Sequence, residues 1–185
     1  AENRIEVNPE WRDALTIGPE AVIGALIGLI AGRKDAERPM RLALDGWYNI
    51  DWPAFTAALA KAANAADMKL DCRPVVSLFR SRDEIAAYKR AFTETSDPGF
   101  GVVNTTGHIA DLMDAAKVAE LQATLANPPA VDALVVYGAG AAVPELCDGY
   151  DLRFYFDKTR QPILWEMWDG KLIPFGWDEP KKDYD

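Results

Sequence analysis

The chain has 185 residues, with 29 acidic against 20 basic side chains and a formal charge of −9. That length suits one domain, large enough to bury a core without a disulfide or a metal. The acidic balance argues against a nucleic-acid surface, which needs clustered Lys and Arg, and against an anionic membrane partner.

Residues 1–17 read as an irregular lead-in anchored by Trp11 and Leu15. The most apolar run, Ala21 to Gly32, is too short to span a bilayer, which needs roughly 20 residues. Glu10 and Asp13 precede it, so it lacks the basic start of a signal peptide. It reads as a buried helix over 19–34, with Pro19 in its first turn and Arg33 and Lys34 at its end. Met40 to Leu44 alternates and predicts a strand, closed by Asp45-Gly46. Phe55, Leu59 and Ala62 set a helical spacing over 52–65, with Asp51 as N-cap and Pro53 in the first turn.

Pro74 to Phe79 is the second strand candidate, followed by an amphipathic helix over 82–93. Ser96 to Gly99 is a turn, and Phe100 to Val103 a short strand candidate. A long helix is expected over 109–126, stopped by Asn127-Pro128-Pro129. Val131 to Tyr137 is almost continuously apolar, as in a strand covered on both faces. A further strand is expected at 152–156, a helix at 159–168 and a last strand at 171–175, before a charged tail from Asp178. The alternation of strands and helices predicts a single three-layer α/β domain, a mostly parallel sheet with helices on both faces.

Cys72 and Cys147 are far apart, which fits two free thiols in a reducing cytoplasm. His108 is the one histidine, so a histidine-based metal site is excluded and most triads with it.

In open parallel sheets, ligands sit beyond the carboxyl ends of the strands. Gly138-Ala139-Gly140 follows a strand and partly matches a dinucleotide fingerprint. Only Pro144 to Tyr150 then separates it from the next strand, too little for a full crossover helix. The turn is either close backbone packing or a bare backbone offered to a ligand. The segment RLALDGWYNIDWPAF places strand, turn and helix where a nucleotide kinase carries its phosphate loop. Gly46 is present, but the loop has no Lys, Ser or Thr. Asp51 sits where the helix would meet an anion and should repel phosphate.

These segments, with VVYGAGAAV at 135–143 and YDLRFYFD at 150–157, resemble a uridine-kinase-like domain with an eroded P-loop over 40–185. Such a domain resembles the N-terminal part of larger bacterial phosphomannose isomerase-like proteins of the cupin type. The resemblance matches Gly46 to the first glycine of the phosphate loop and Gly138 to Gly140 to the glycine after the central strand. It matches Asp157 and Arg160 to the start of the basic lid helix, where Trp165, Glu166 and Met167 replace the further arginines. It implies a non-catalytic, cytoplasmic module of carbohydrate metabolism, without cofactor. The partner would be a C-terminal cupin domain or a second copy, and the ligand a small metabolite. The ligand-binding candidates are then Asp45, Gly46, Trp47, Tyr48, Gly138, Gly140, Asp157 and Arg160.

Other readings stay open. Arg80, Arg82 and Arg160 with Asp45 would serve a phosphotransferase with unusual phosphate contacts. Asp45, Asp51, Asp97 and Asp157 are caps and turn formers, or else a magnesium-binding set. His108, beside Asp111, is a surface residue or a general base. Trp47, Tyr48 and Trp52 stack on a sugar or base, or fill the space of a lost nucleotide. Trp165, Trp168, Trp177 and Phe175 form a docking patch, as a stand-alone binding or oligomerisation domain would need, or ordinary core.

Overall fold

The computed structural model describes residues 8–33, 38–47, 49–97, 100–173 and 179–180. Four strands form one sheet: β1 (Met40–Gly46), β2 (Leu70–Pro74), β3 (Ala133–Tyr137) and β4 (Leu152–Phe156). Their spatial order is β2-β3-β1-β4, and every pairing is parallel. The helices are α1 (Pro9–Asp13), α2 (Pro19–Ala31), α3 (Trp52–Ala65), α4 (Arg82–Thr93), α5 (Ala115–Ala126), α6 (Pro144–Cys147) and α7 (Arg160–Trp168).

The sheet has a core on each face. On one, Ile23, Leu26 and Ile30 of α2 and Trp52, Leu59 and Ala63 of α3 pack on Leu42, Leu44, Ala133 and Val135. On the other, Val118, Leu121 and Leu125 of α5 and Leu146 of α6 pack on Ala43, Leu134 and Val136. Burial on both sides is why β3 reads as an unbroken apolar run. No helix among the described residues is long and apolar enough to cross a membrane.

Several elements depart from the sequence reading. The second strand is 70–74, not 74–79. Its alternation sends Leu70 and Cys72 towards the α3 core, while Arg73 pairs with Asp71 at 2.9 Å. Charged side chains are common on such an edge strand. Residues Val75–Leu78 instead form a 3-10 turn that buries Val75 and Leu78, three apart. The long helix over 109–126 divides: Ile109–Leu112 is a 3-10 turn, and α5 starts afresh after Asp114. The Asp114 carboxylate accepts from the N–H groups of Ala116 (2.8 Å) and Lys117 (3.3 Å) and so caps α5.

Phe100–Val103 is not a strand. Val102 N–H donates to Phe92 O at 2.7 Å, a bond back to α4 rather than to the sheet. Residues 171–173 are not a strand either, since Lys171 and Leu172 N–H donate to Glu166 O and finish α7. Positions 174 and 175 of that expected strand lie outside the described residues, as do 98 and 99 of the expected turn. The lead-in contains α1, capped by Asn8, and neither Trp11 nor Leu15 anchors it, because both are exposed. The crossover from β3 to β4 carries only the single turn of α6, in keeping with a span too short for a full crossover helix.

Candidate functional site

After β1 the chain enters α3 on one face of the sheet, and after β3 it enters α6 on the other, so the connections diverge to opposite faces at the neighbouring carboxyl ends of β1 and β3. That divergence makes the crevice where this architecture places ligands. Here a side chain of the protein occupies it. One carboxylate oxygen of Asp45 accepts from Gly46 N–H (2.7 Å) and Gly140 N–H (2.8 Å), and the other from Ala142 N–H (3.0 Å). Backbone N–H groups converging in a turn make an anion nest, and Asp45 is the anion. Gly138 and Gly140 have φ of 121° and 91°, which only glycine adopts without strain. A Cβ on Gly140 would also lie 2.8 Å from Ile109 and 2.9 Å from Met113, so the turn is packed closely from outside.

The loop after β1 is bound as fully. Trp47 N–H donates to Phe156 O at 3.0 Å, and a Cβ on Gly46 would lie 2.4 Å from the same carbonyl. At the start of α3, Trp52 N–H donates to Ile50 O (2.8 Å) and Pro53 has no N–H. Ala54 N–H donates to the Asp51 carboxylate (3.0 Å) and Phe55 N–H to Asp51 O (3.1 Å). The N-terminal donors of α3 are thereby satisfied inside the chain. Trp52 is buried among aromatic rings, with centroids 5.0 Å from Phe156 and 5.9 Å from Tyr137. Phe55 meets Phe156 edge to face at 4.8 Å. Trp52 thus fills space at the carboxyl end of the sheet, while Tyr48 lies outside the described residues.

Asn49 ties this loop to α7. Its amide donates to the Glu166 carboxylate at 2.6 Å, and its side-chain oxygen accepts from Ile173 N–H at 3.3 Å. Lys158 donates to Asn49 O at 2.9 Å and pairs with Glu166. Asp157 and Arg160 are both exposed beside this lock. The Asp157 carboxylate accepts from its neighbour Lys158 N–H at 2.8 Å, a local turn bond. Beneath the crevice, the Tyr150 hydroxyl is buried without a hydrogen-bond partner among the described residues. Burial first, and then the charge of Asp45, pushes its pKa above the ordinary tyrosine value.

Three other candidates sit apart from ligand chemistry. The Arg80 guanidinium donates to Met113 O at 3.1 Å. His108 is exposed, with its N–H on the Asp111 carboxylate at 2.8 Å. Among the described residues no three of His, Cys, Asp and Glu gather as a metal site.

A family model described as a domain of unknown function, DUF8485, matches residues 23–185. The chain belongs to the DUF8485 family. No curated protein matches it. Among solved structures it is similar to the structure titled a possible uridine kinase from Bacillus stearothermophilus. The TM-score is 0.52 at 13% identity, over 83% of this chain and 84% of that one. At that identity the likeness concerns the fold: this DUF8485 domain has a P-loop-kinase-like α/β architecture, with a four-stranded all-parallel sheet flanked by helices.

The residues of the crevice differed in how visible they were. Asp45, Gly46, Gly138, Gly140 and the Asp51 cap stand at strand ends or at a helix start, and sequence position singles them out. Asn49, Lys158 and Glu166 were missed as a unit, because residues 109 and 117 positions apart carry no common motif.

Proposed function

We propose that this domain is a non-catalytic kinase-fold module whose phosphate loop has been replaced by contacts within the chain. The observation that carries the reading is the self-satisfied start of α3. Counted from Gly46, the pattern Gly-x4-Gly-Lys-Ser/Thr falls on Asp51, Trp52 and Pro53. The second glycine has become a capping carboxylate, the lysine a buried indole and the hydroxyl a proline. Each change removes a phosphate or magnesium contact. The strand beside β1 ends in Tyr137 rather than an acidic residue, so a magnesium ligand is missing there as well. At the lid, Glu166 stands where an arginine would neutralise phosphate, and it is paired with Lys158.

The role that remains is binding. Trp165 and Trp168 of α7 are 52% and 74% exposed, and Tyr155 of the edge strand β4 is exposed too. Such a surface suits docking against a partner domain or a second copy. The partner we propose is a cupin-type domain of a sugar-phosphate isomerase-like protein of carbohydrate metabolism, a reading supported by the sequence resemblance alone.

Isothermal titration of magnesium–ATP into the protein tests the catalytic half of the reading. The expected result is no saturable binding at millimolar nucleotide and no phosphoryl transfer to uridine or hexoses. Saturable binding that protects residues 46–52 from hydrogen exchange would overturn it.

A further inference from the structure

The sheet has two edge strands, β2 and β4, and they are guarded differently. β2 ends in Pro74, which has no N–H to offer, and its Asp71 and Arg73 are paired with each other at 2.9 Å. β4 contains no proline, glycine or lysine. Trp47 N–H donates to Phe156 O, so Leu152, Phe154 and Phe156 turn their N–H and C=O groups towards β1. Those of Arg153 and Tyr155 point away from the sheet. Among the described residues no backbone group bonds to them.

The side chains of β4 divide in the same way. Leu152, Phe154 and Phe156 pack against the α3-side core, which puts Arg153 and Tyr155 on the opposite face. On that face Ala43 of β1 and Leu134 and Val136 of β3 are fully buried beneath α5 and α6. The cover stops short of β4: Arg153 is exposed and Tyr155 is 68% exposed. Arg153 makes one long bond, from Nη1 to Cys147 O at 3.4 Å.

We infer that β4 is a dimerisation strand, to which a second copy of this chain adds antiparallel across a two-fold axis at Phe154. The strand overlaps itself fully in that register alone, and it is then complementary to itself. Arg153 of each copy falls opposite Tyr155 of the other, and the two residues exchange the backbone bonds left open in the single chain. The guanidinium then lies against the phenol ring, a cation–π contact. On the other face Leu152 meets Phe156, and Phe154 meets its own copy, which extends the apolar α3-side core. Just beyond the strand, the exposed Asp157 of the second copy arrives beside Asp151. That carboxylate is ringed by Arg33, Arg38 and Arg41, and the side chains of Arg33 and Arg38 are half exposed, so the incoming charge meets guanidinium. Such a two-fold contact consumes both β4 edges, and the guarded β2 edges stop further growth. The pairing rests on the docking role proposed above and names its partner, but it shares no requirement with the loss of phosphate contacts.

Sedimentation equilibrium of the full chain, from micromolar to millimolar concentration, tests the pairing, while the nucleotide titration tests the phosphate loop separately. The expected result is a monomer–dimer equilibrium without larger species. Tyr155→Lys opposes lysine to arginine at an exposed position and should raise the dimer dissociation constant by about tenfold or more. Asp157→Lys brings a cation to the arginine cluster and should weaken the dimer about tenfold. Combining Arg153→Glu with Tyr155→Lys restores an opposite-charge pair in the same register and should recover the dimer. A monomer at millimolar concentration, a dimer indifferent to Tyr155→Lys or Asp157→Lys, or a double variant no tighter than Tyr155→Lys alone would each overturn the assignment.

Discussion

Both ends of the central strand β1 are fastened by an aspartate, but with different partners. At the carboxyl end Asp45 is held by three uncharged backbone N–H groups. At the amino end Asp151, with its side chain only 9% exposed, is held by arginines: Arg41 at 3.1 Å, Arg38 at 2.8 Å and Arg33 at 3.7 Å. Arg41 N–H adds a further bond to the same carboxylate at 2.8 Å. An amide nest works only if the loop has one shape, so Asp45 fixes the 138–142 turn and consumes its donors. An arginine cluster tolerates looser geometry, and its strength depends on charge and therefore on pH and salt. The end of the sheet where this architecture binds ligands is the end that has been closed with backbone.

Removing Asp45 should have the largest effect. Asp45→Ala leaves three part-buried N–H groups without an acceptor, and the expected loss is about 3 kcal/mol or more, read from urea unfolding. Asp45→Asn keeps one acceptor oxygen and should cost distinctly less. An alanine variant as stable as the parent would mean that the turn holds its shape without the carboxylate.

Asp151→Asn comes next and separates the two ends by pH. Burial alone would raise the Asp151 pKa, but Arg41 and Arg38 outweigh it and hold the group down to about 2, below the ordinary aspartate value of 3.8. The unfolded chain therefore binds the proton first. The stability from this group is complete above pH 3.8 and is lost as pH falls towards 2. The difference corresponds to about 2 kcal/mol. The parent should lose that amount across this window, and the asparagine variant should show a flatter profile there. Molar salt should weaken the arginine end and leave the Asp45 end unchanged, a contrast that urea titrations of both variants would reveal.

The smallest expected effect is that of Asp51→Ala, about 1 kcal/mol for a lost N-cap. It should not create affinity for inorganic phosphate, because Trp52 and Pro53 still occupy the motif positions of lysine and serine. Phosphate binding by this variant, followed by calorimetry, would show that the cap alone keeps anions out.

Much of the architecture was legible along the chain. The bounds of α3 and α4 follow from apolar spacing and from the Asp51 cap, and the structure adds a Ser81–Glu84 capping box at the start of α4. β1, β3 and β4 follow from local patterns of apolar residues. The failures lie where local pattern and tertiary demand diverge. Val75 and Val76 have strand propensity, yet the hydrogen-bonding partner of β3 is the polar segment 70–74, because register with Ala133–Tyr137 and the reach of α3 select it. Asp114 interrupts a helical pattern because its carboxylate caps α5.

The sequence by itself determined the alternation of strands and helices, the two-sided burial of β3, the Asp51 cap and the lack of a phosphate-binding lysine. All of these rest on neighbours within a few residues. Tertiary structure alone decided that Asp45 turns into the 138–142 loop, that Asn49, Lys158 and Glu166 form one lock, and that Arg38 and Arg41 close on Asp151. Apart from Lys158 and Glu166, eight residues apart, these groups lie tens of residues from one another along the chain, and chain order carries no record of proximities that only the packed sheet creates.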